Sequence, residues 1–237
     1  MNSNTSTPIL ILGMGRSGTS CLAGSLQQAG VYFGKVSTVN KHNKKGNREN
    51  DAIMKLNDEI LHYNNAQWNN PPLKIIKWNT SHEAHGQELI HQFTNETTSQ
   101  YWGFKDPRTL LTYPFWEKIL PNAKLVGTVR HPYHVALSLD KRGDKTTLEE
   151  SMNLWLTYNV KLLKLLERNP FPLISFDASS SDYTKHQNIL IKKVLPDSKH
   201  SIDFYDQKLR SNTGDIAIDI PENIQQCYLA LLKYTIS

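Results

Sequence analysis

The sequence predicts a single-domain α/β protein whose central parallel sheet is flanked by helices. Three observations predict it. Apolar segments of strand length alternate with helix-length segments, the pattern of a parallel sheet covered on both faces. The first of them, Pro8 to Leu12 (PILIL), runs into a glycine turn and then a helix-length segment, a strand-loop-helix unit suited to phosphate. The 237 residues suffice for one core, and neither a repeat nor an interdomain linker divides them. The domain is expected over residues 8–237, with residues 1–7 (MNSNTST) a disordered polar tail.

Along the chain, PILIL is a buried strand, GMGRSG a tight turn, and TSCLAGSLQQAG a helix ending on Gly30. Residues 35–50 (KVSTVNKHNKKGNREN) have no periodic apolar face and read as a mobile loop. Ile53, Leu56, Ile60 and Leu61 restore helical spacing over 51–64, and an irregular stretch with Trp68, Pro71, Pro72 and Trp78 follows. A further helix is expected from His82 to Phe93. Then come strand YWGFK, a helix from Tyr113 to Leu120, strand KLVGTV and a helix after His131. Thr147 and Glu150 form a capping box that opens a long helix over 148–168, with Leu148, Met152, Trp155, Leu162 and Leu166 on one face. Strand PLISF and more helix complete the chain, with Pro221 opening the last helix.

Composition narrows the class. Hydrophobic residues make up 38% and charged residues 21%, so the chain is a polar globular protein rather than a disordered or membrane-spanning one. Pro8 to Leu12 has no basic leader and is too short for a signal-peptide core. Two distant cysteines, Cys21 and Cys227, lack metal-ligand spacing and point to reduced thiols in a cytoplasmic protein. The net charge of +5 suits an anionic ligand, but it equally suits an ordinary basic surface. No nucleic-acid partner is expected, and oligomeric state is not readable.

Two motifs carry the chemistry. In Gly13-Met14-Gly15-Arg16-Ser17-Gly18-Thr19-Ser20 the glycines have the spacing of a nucleoside-triphosphatase loop, but Thr19 stands where that loop carries lysine. The cation is Arg16 instead. Glycines alone would serve tight packing, whereas a cation and two hydroxyls in the same turn serve an oxyanion. The second motif is strand LVGTV ending on Arg130, then a helix that opens at Pro132 and carries Ser138, eight positions after the arginine. At a strand's carboxyl end, Arg130 points toward the crevice that the glycine turn also faces, and with Ser138 it can clamp a second phosphate.

PILILGMGRSGTS resembles the 5′-phosphosulfate loop of sulfotransferases that use 3′-phosphoadenosine 5′-phosphosulfate (PAPS), particularly their bacterial branch, which carries Arg in the loop. VRHPYHVALS is similar to the 3′-phosphate motif of the same family, and WGFKDPR and LWLTYN resemble further segments of it. The similarity runs patchily from Pro8 to Ser179 and is weakest over 60–100. It implies that Arg16, Ser17, Gly18, Thr19 and Ser20 surround the 5′-phosphosulfate, that Arg130 and Ser138 hold the 3′-phosphate, and that Lys208 and Arg210 belong to a basic nucleotide-contacting segment. The donor is then PAPS, the product adenosine 3′,5′-bisphosphate (PAP), and no metal is needed.

Sulfuryl transfer needs cations near the leaving group and a base near the nucleophile. Arg16 and Lys105 are the cations. Glu49 is the expected base, because KKGNREN resembles the family pattern N-x-x-G-x-x-E; His42 is the runner-up, and His131 and His134 follow. Asp106 and Arg108 are read as acceptor-site residues or a structural ion pair. The acceptor is expected among His62, Tyr63, Trp68 and Trp78, where aromatics can stack on sugar rings or form a small satellite core. A saccharide or hydroxylated small molecule fits that expectation, by transfer to a hydroxyl or amine. Two other readings remain at this point: a nucleoside or metabolite kinase on the same strand-loop-helix unit, and a non-catalytic nucleotide- or polyanion-binding relative.

Overall fold

The computed structural model describes residues 6–41, 43–144, 146–210 and 218–237. Four strands, β1 (Thr7–Leu12), β2 (Tyr101–Lys105), β3 (Lys124–Val129) and β4 (Leu173–Ser175), form one parallel sheet in the order β2-β1-β3-β4. Leu10 of β1 pairs with Phe104 on one side and with Leu125 on the other. The chain thus leaves β1 for one neighbour and later returns to the other. That reversal opens a crevice beyond the carboxyl ends of β1 and β3, the place where open α/β sheets bind ligands.

The strands alternate between two packed layers, as a period of two requires. Leu10, Leu12, Leu125, Val129 and Leu173 face one core cluster, while Ile9, Ile11, Val126 and Ile174 face the other. The second cluster is closed by α1 (Thr19–Gln28) and α7 (Ser180–Val194). The first is closed by α2 (Asp51–Tyr63), α3 (Thr80–Glu96), α4 (Tyr113–Ile119), α5 (Pro132–Asp140), α6 (Leu148–Arg168) and α8 (Glu222–Leu232). The capping box of α6 is present as expected: Thr147 Oγ1 accepts from the Glu150 N–H, and the Glu150 carboxylate accepts from the Thr147 N–H.

Three expectations change. Thr7, assigned to the tail, belongs to β1 and donates its N–H to the Gln100 carbonyl at 2.8 Å. Helix α3 starts earlier and ends later than expected, because Asn79 and His82 form a capping box that apolar periodicity did not reveal. The 35–50 segment contains no helix or extended strand among its described residues. Its two arms are nevertheless tied, with the Ser37 N–H donating to Glu49 O at 3.1 Å and the Arg48 N–H to Ser37 O at 3.0 Å. Those bonds set where Glu49 stands. Cys21 and Cys227 are both free thiols. Among the described residues no helix is long and apolar enough to cross a membrane.

A buried polar knot joins α2 to the carboxyl end of β2. Asn57 is fully buried, and its amide nitrogen donates to Asp106 at 2.8 Å and to Thr109 at 3.1 Å. Its carbonyl oxygen accepts from Thr112 at 2.6 Å and from the Trp116 indole at 2.7 Å. Without Asn57 the Trp116 indole N–H and the Thr109 hydroxyl would lose the partners that it gives them in the core, at about 1–3 kcal/mol apiece. We therefore expect Asn57→Leu to destabilise the fold by about 3 kcal/mol or more in urea denaturation; a loss under about 1 kcal/mol would show that the knot relaxes freely.

Candidate functional site

The glycine turn connects β1 to α1, and its geometry leaves the helix N-terminus open. Gly18 precedes α1 in a left-handed conformation (φ 91°) and supplies no side-chain cap, so the first N–H groups of the helix have no protein oxygen in that role. No other residue fits at position 18, since a Cβ there would lie 2.3 Å from the Phe176 ring. Arg16 is also left-handed, at φ 71°. That conformation costs a non-glycine residue on the order of 1 kcal/mol or more, and it persists because the surroundings hold it. The Arg130 guanidinium donates to the Arg16 carbonyl at 3.3 Å, and Arg16 Nε donates to Ser138 Oγ at 2.8 Å. The two motifs, 122 residues apart at Arg16 and Ser138, therefore meet in one place.

A cavity of about 330 Å³ opens there, lined by Arg16, Gly18, Thr19, Ser20, Arg130 and Ser138. Lys208 and Arg210 join the same wall, so the basic segment near the chain's end reaches this cavity. Ser17 does not. Its side chain is buried behind the turn, and its carbonyl accepts from Thr128 Oγ1 at 2.7 Å, so Ser17 fixes the turn to β3 instead of facing the cavity.

The charge balance of this cavity is uneven. Burial pushes the Arg130 guanidinium down to about 10; Asp177 opposes that shift, while Arg210 and Arg16 add to it. Arg16 is also lowered, by burial first and then by Arg142. Asp177 itself is held below the usual carboxylate range: burial alone would raise it, but hydrogen bonds from His134 and the His131 N–H, together with Arg130, outweigh burial. His134 Nδ1 is 2.8 Å from Asp177, and the His131 ring packs edge-on against Tyr228 at 4.9 Å. These contacts give both histidines structural roles behind Arg130, and they leave neither in the lining of the neighbouring acceptor-side cavity.

That second cavity, of about 380 Å³, shares Arg16, Thr19 and Ser20 with the first and is otherwise built from the expected catalytic segment. Lys105 projects from the end of β2, and its ammonium donates to Glu49 Oε1 at 2.6 Å. Their side chains are 1% and 14% exposed, so the pair is nearly dry. Among the described residues, Lys105 engages one oxygen of Glu49 and no hydrogen bond engages the other. Arg108 and Trp68 also line this cavity. His42 lies outside the described residues.

Of the two readings of Asp106 the structure supports the structural ion pair, and the acceptor-site expectation for Tyr63 needs correction. Asp106 is fully buried and lines neither cavity; its carboxylate binds Asn57 and Arg108, and burial raises its pKa despite the pull of Arg108. It is a structural carboxylate at the base of the site. Tyr63 is exposed, stacks edge-on against His82 at 5.3 Å and lines a separate cleft beside Asn70 and Leu73. Of the four expected aromatic and histidine residues, His62 is exposed and Trp78 packs on Phe115, so Trp68 alone reaches the cavity.

With both cavities located, comparison with known proteins decides the family. The profile of the sulfotransferase family matches residues 8–168, well over half of the chain. The chain belongs to the sulfotransferase family. The fold agrees: the sulfotransferase domain from the Synechococcus PCC 7002 olefin synthase superposes with a TM-score of 0.52, covering 98% of this chain and 97% of that domain at 15% identity. No curated protein sequence matches this sulfotransferase.

Several lining residues were not singled out from sequence. Lys41, Lys44 and Lys45 of the 35–50 segment reach the first cavity, although a run of lysines with asparagines reads as a solvated loop. Phe204 lies against α1 where a Cβ on Gly24 would meet its ring at 2.3 Å, so Gly24 is the trace that this contact leaves in the sequence. Asp177 and the Arg142–Asp144 pair left no such trace. For the first cavity, we expect Arg130→Ala to weaken PAP by about one to two decades and adenosine 5′-monophosphate far less, measured by calorimetry. Equal losses for the two nucleotides would remove Arg130 from the 3′-phosphate.

Proposed function

We propose that this sulfotransferase moves the sulfuryl group of PAPS to a hydroxyl or amine of a small molecule or saccharide by in-line transfer. The observation that carries the reading is the meeting of Arg16, Arg130 and Ser138 at one cavity that shares its wall with the Lys105–Glu49 pair. The residues present fit a nucleotide bearing phosphates at both its 3′ and 5′ positions. Two arginines lowered by burial and by neighbouring arginines gain most from an anion, and the uncapped start of α1 adds N–H donors. Thr19 and Ser20 supply hydroxyls, and Lys208 and Arg210 extend the positive wall. Phe204 and Tyr205 offer apolar area for a base. When bound, PAPS supplies the sulfuryl group and departs as PAP.

Residue roles follow from position. Arg16 stands between the cavities, where charge develops on the leaving oxygen, and Lys105 supports it from the other side of the turn. Glu49 accepts the acceptor's proton through the oxygen that Lys105 does not occupy, which leaves the attacking oxygen or nitrogen free to bond to sulfur. Trp68, Arg108, Met54 and Tyr158 shape the space for the acceptor. Thr19 in place of the loop lysine supports this reading over a kinase. A metal-free site fits the cations gathered there. A cytoplasmic setting suits the two free thiols.

Labelled PAPS incubated with pooled hydroxyl and amine acceptors tests the activity, and one variant tests the base. Glu49→Gln should leave PAP binding nearly intact and lower transfer by about 10²–10⁴-fold. Full turnover in this variant, with loss in His42→Ala at unchanged donor affinity, would move the base to His42.

A further inference from the structure

Helix α6 and the 72–76 segment line an open apolar cavity of about 620 Å³, none of whose lining residues is shared with the two cavities described above. Its walls are apolar: Pro72, Ile76, Leu110, Leu111, Leu156 and Val160 contribute to them. At its lip stand Leu73 and Ile75, 93% and 85% exposed, with Lys74 between them. A large aliphatic side chain left in water so completely is uncommon for one residue, and here two stand one residue apart beside an apolar groove.

Among the described residues, the charges at this rim that have no opposite partner are all positive, Glu117 being paired to Arg168. Lys161 and Lys164 project from α6 into its rim, three residues apart on the same helix face. Burial lowers the Lys161 pKa, and repulsion from Lys164 lowers it further. Among the described residues neither lysine, nor Lys74, has a carboxylate partner; only Arg168 is paired, to Glu117. Two prominent aliphatic tips ringed by unpaired ammonium groups match a surface that is anionic at its face and apolar beneath it.

We propose that this face docks on an anionic lipid bilayer, with Leu73 and Ile75 entering the acyl boundary and Lys74, Lys161 and Lys164 meeting the headgroups. Insertion of the two tips and attraction by the lysines are separate contributions, because the first depends on apolar area and the second on salt. None of these five residues lines the donor cavity or the acceptor cavity, so docking stands apart from the transfer reading.

The test is co-sedimentation of the full chain with vesicles of phosphatidylglycerol and phosphatidylcholine, against vesicles of phosphatidylcholine alone. Binding is expected to the mixed vesicles, with little to the neutral ones. Leu73→Ser with Ile75→Ser leaves net charge unchanged and replaces only exposed side chains; it should lower partitioning by about tenfold or more. Lys161→Gln with Lys164→Gln should lower it by roughly twenty-five-fold, at about fivefold per charge near the surface. Lys192→Gln with Lys193→Gln removes the same charge from α7 and should have a clearly smaller effect. Thermal denaturation of each variant verifies folding. The proposal is overturned if the serine pair binds like the parent chain, or if the α7 pair loses as much as the α6 pair. It is equally overturned if vesicles bind nothing while sedimentation velocity shows a self-association that the serine pair abolishes.

Discussion

Arg16 occupies a left-handed backbone conformation that its own side chain does not favour, and three neighbours hold it there. Arg130 donates to its carbonyl, Ser138 accepts from its guanidinium, and Gly18 closes the turn under the Phe176 ring. The outcome is a concentration of positive charge at the carboxyl ends of β1 and β3, with the Asp177 carboxylate 3.7 Å from the Arg130 guanidinium. Burial makes that concentration costly for the protein alone, and in the proposed reading an anion offsets that cost, so the arrangement that strains the turn is also the one proposed to bind. The neighbouring cavity depends on this turn as well, since Arg16, Thr19 and Ser20 form the wall between the two.

The acceptor side rests on a second constraint, the knot around Asn57. It fixes α2 against the end of β2, and so places the segment that follows Glu49 against the strand that ends in Lys105. Asp106, next in sequence to Lys105, enters this knot and does not enter the cavity. One short segment, Lys105 to Arg108, therefore does two things: Asp106 holds the framework while Lys105 and Arg108 face the space where chemistry is proposed. Adjacent strand residues point to opposite faces, which is why such a division is possible within so few positions.

Much of this was legible in the sequence, for physical reasons. Continuous apolar runs such as PILIL and KLVGTV admit few alternatives to buried strands, and the capping box at Thr147 marks a helix start directly. Arg130 and Ser138 were legible because their spacing sets both on the cavity side of one strand-to-helix junction. What was not legible depends on contacts far apart in the chain. Asp177 follows a strand of three residues and meets Arg130, His134, the His131 N–H and the Tyr228 hydroxyl, contacts that no local pattern encodes. Lys45 looks like a solvated charge until Phe204, 159 residues beyond it, brings its carbonyl and ring to it. Tyr63 ends α2 and Trp68 lies five positions on in the irregular stretch that follows, and they face different clefts, because beyond the helix no periodicity sets the direction of a side chain.

In the proposed reading, the cavity at the carboxyl ends of β1 and β3 recognises a nucleotide through phosphates at two positions, held by arginines and a helix N-terminus. Isothermal calorimetry of the full chain with PAP and with ATP-Mg²⁺ tests it most directly. The account predicts that PAP binds, that EDTA leaves its affinity unchanged, and that ATP-Mg²⁺ binds at least about tenfold more weakly because it lacks a 3′-phosphate for Arg130. Tight binding of ATP-Mg²⁺ with none of PAP, or loss of PAP binding on chelation, would contradict it.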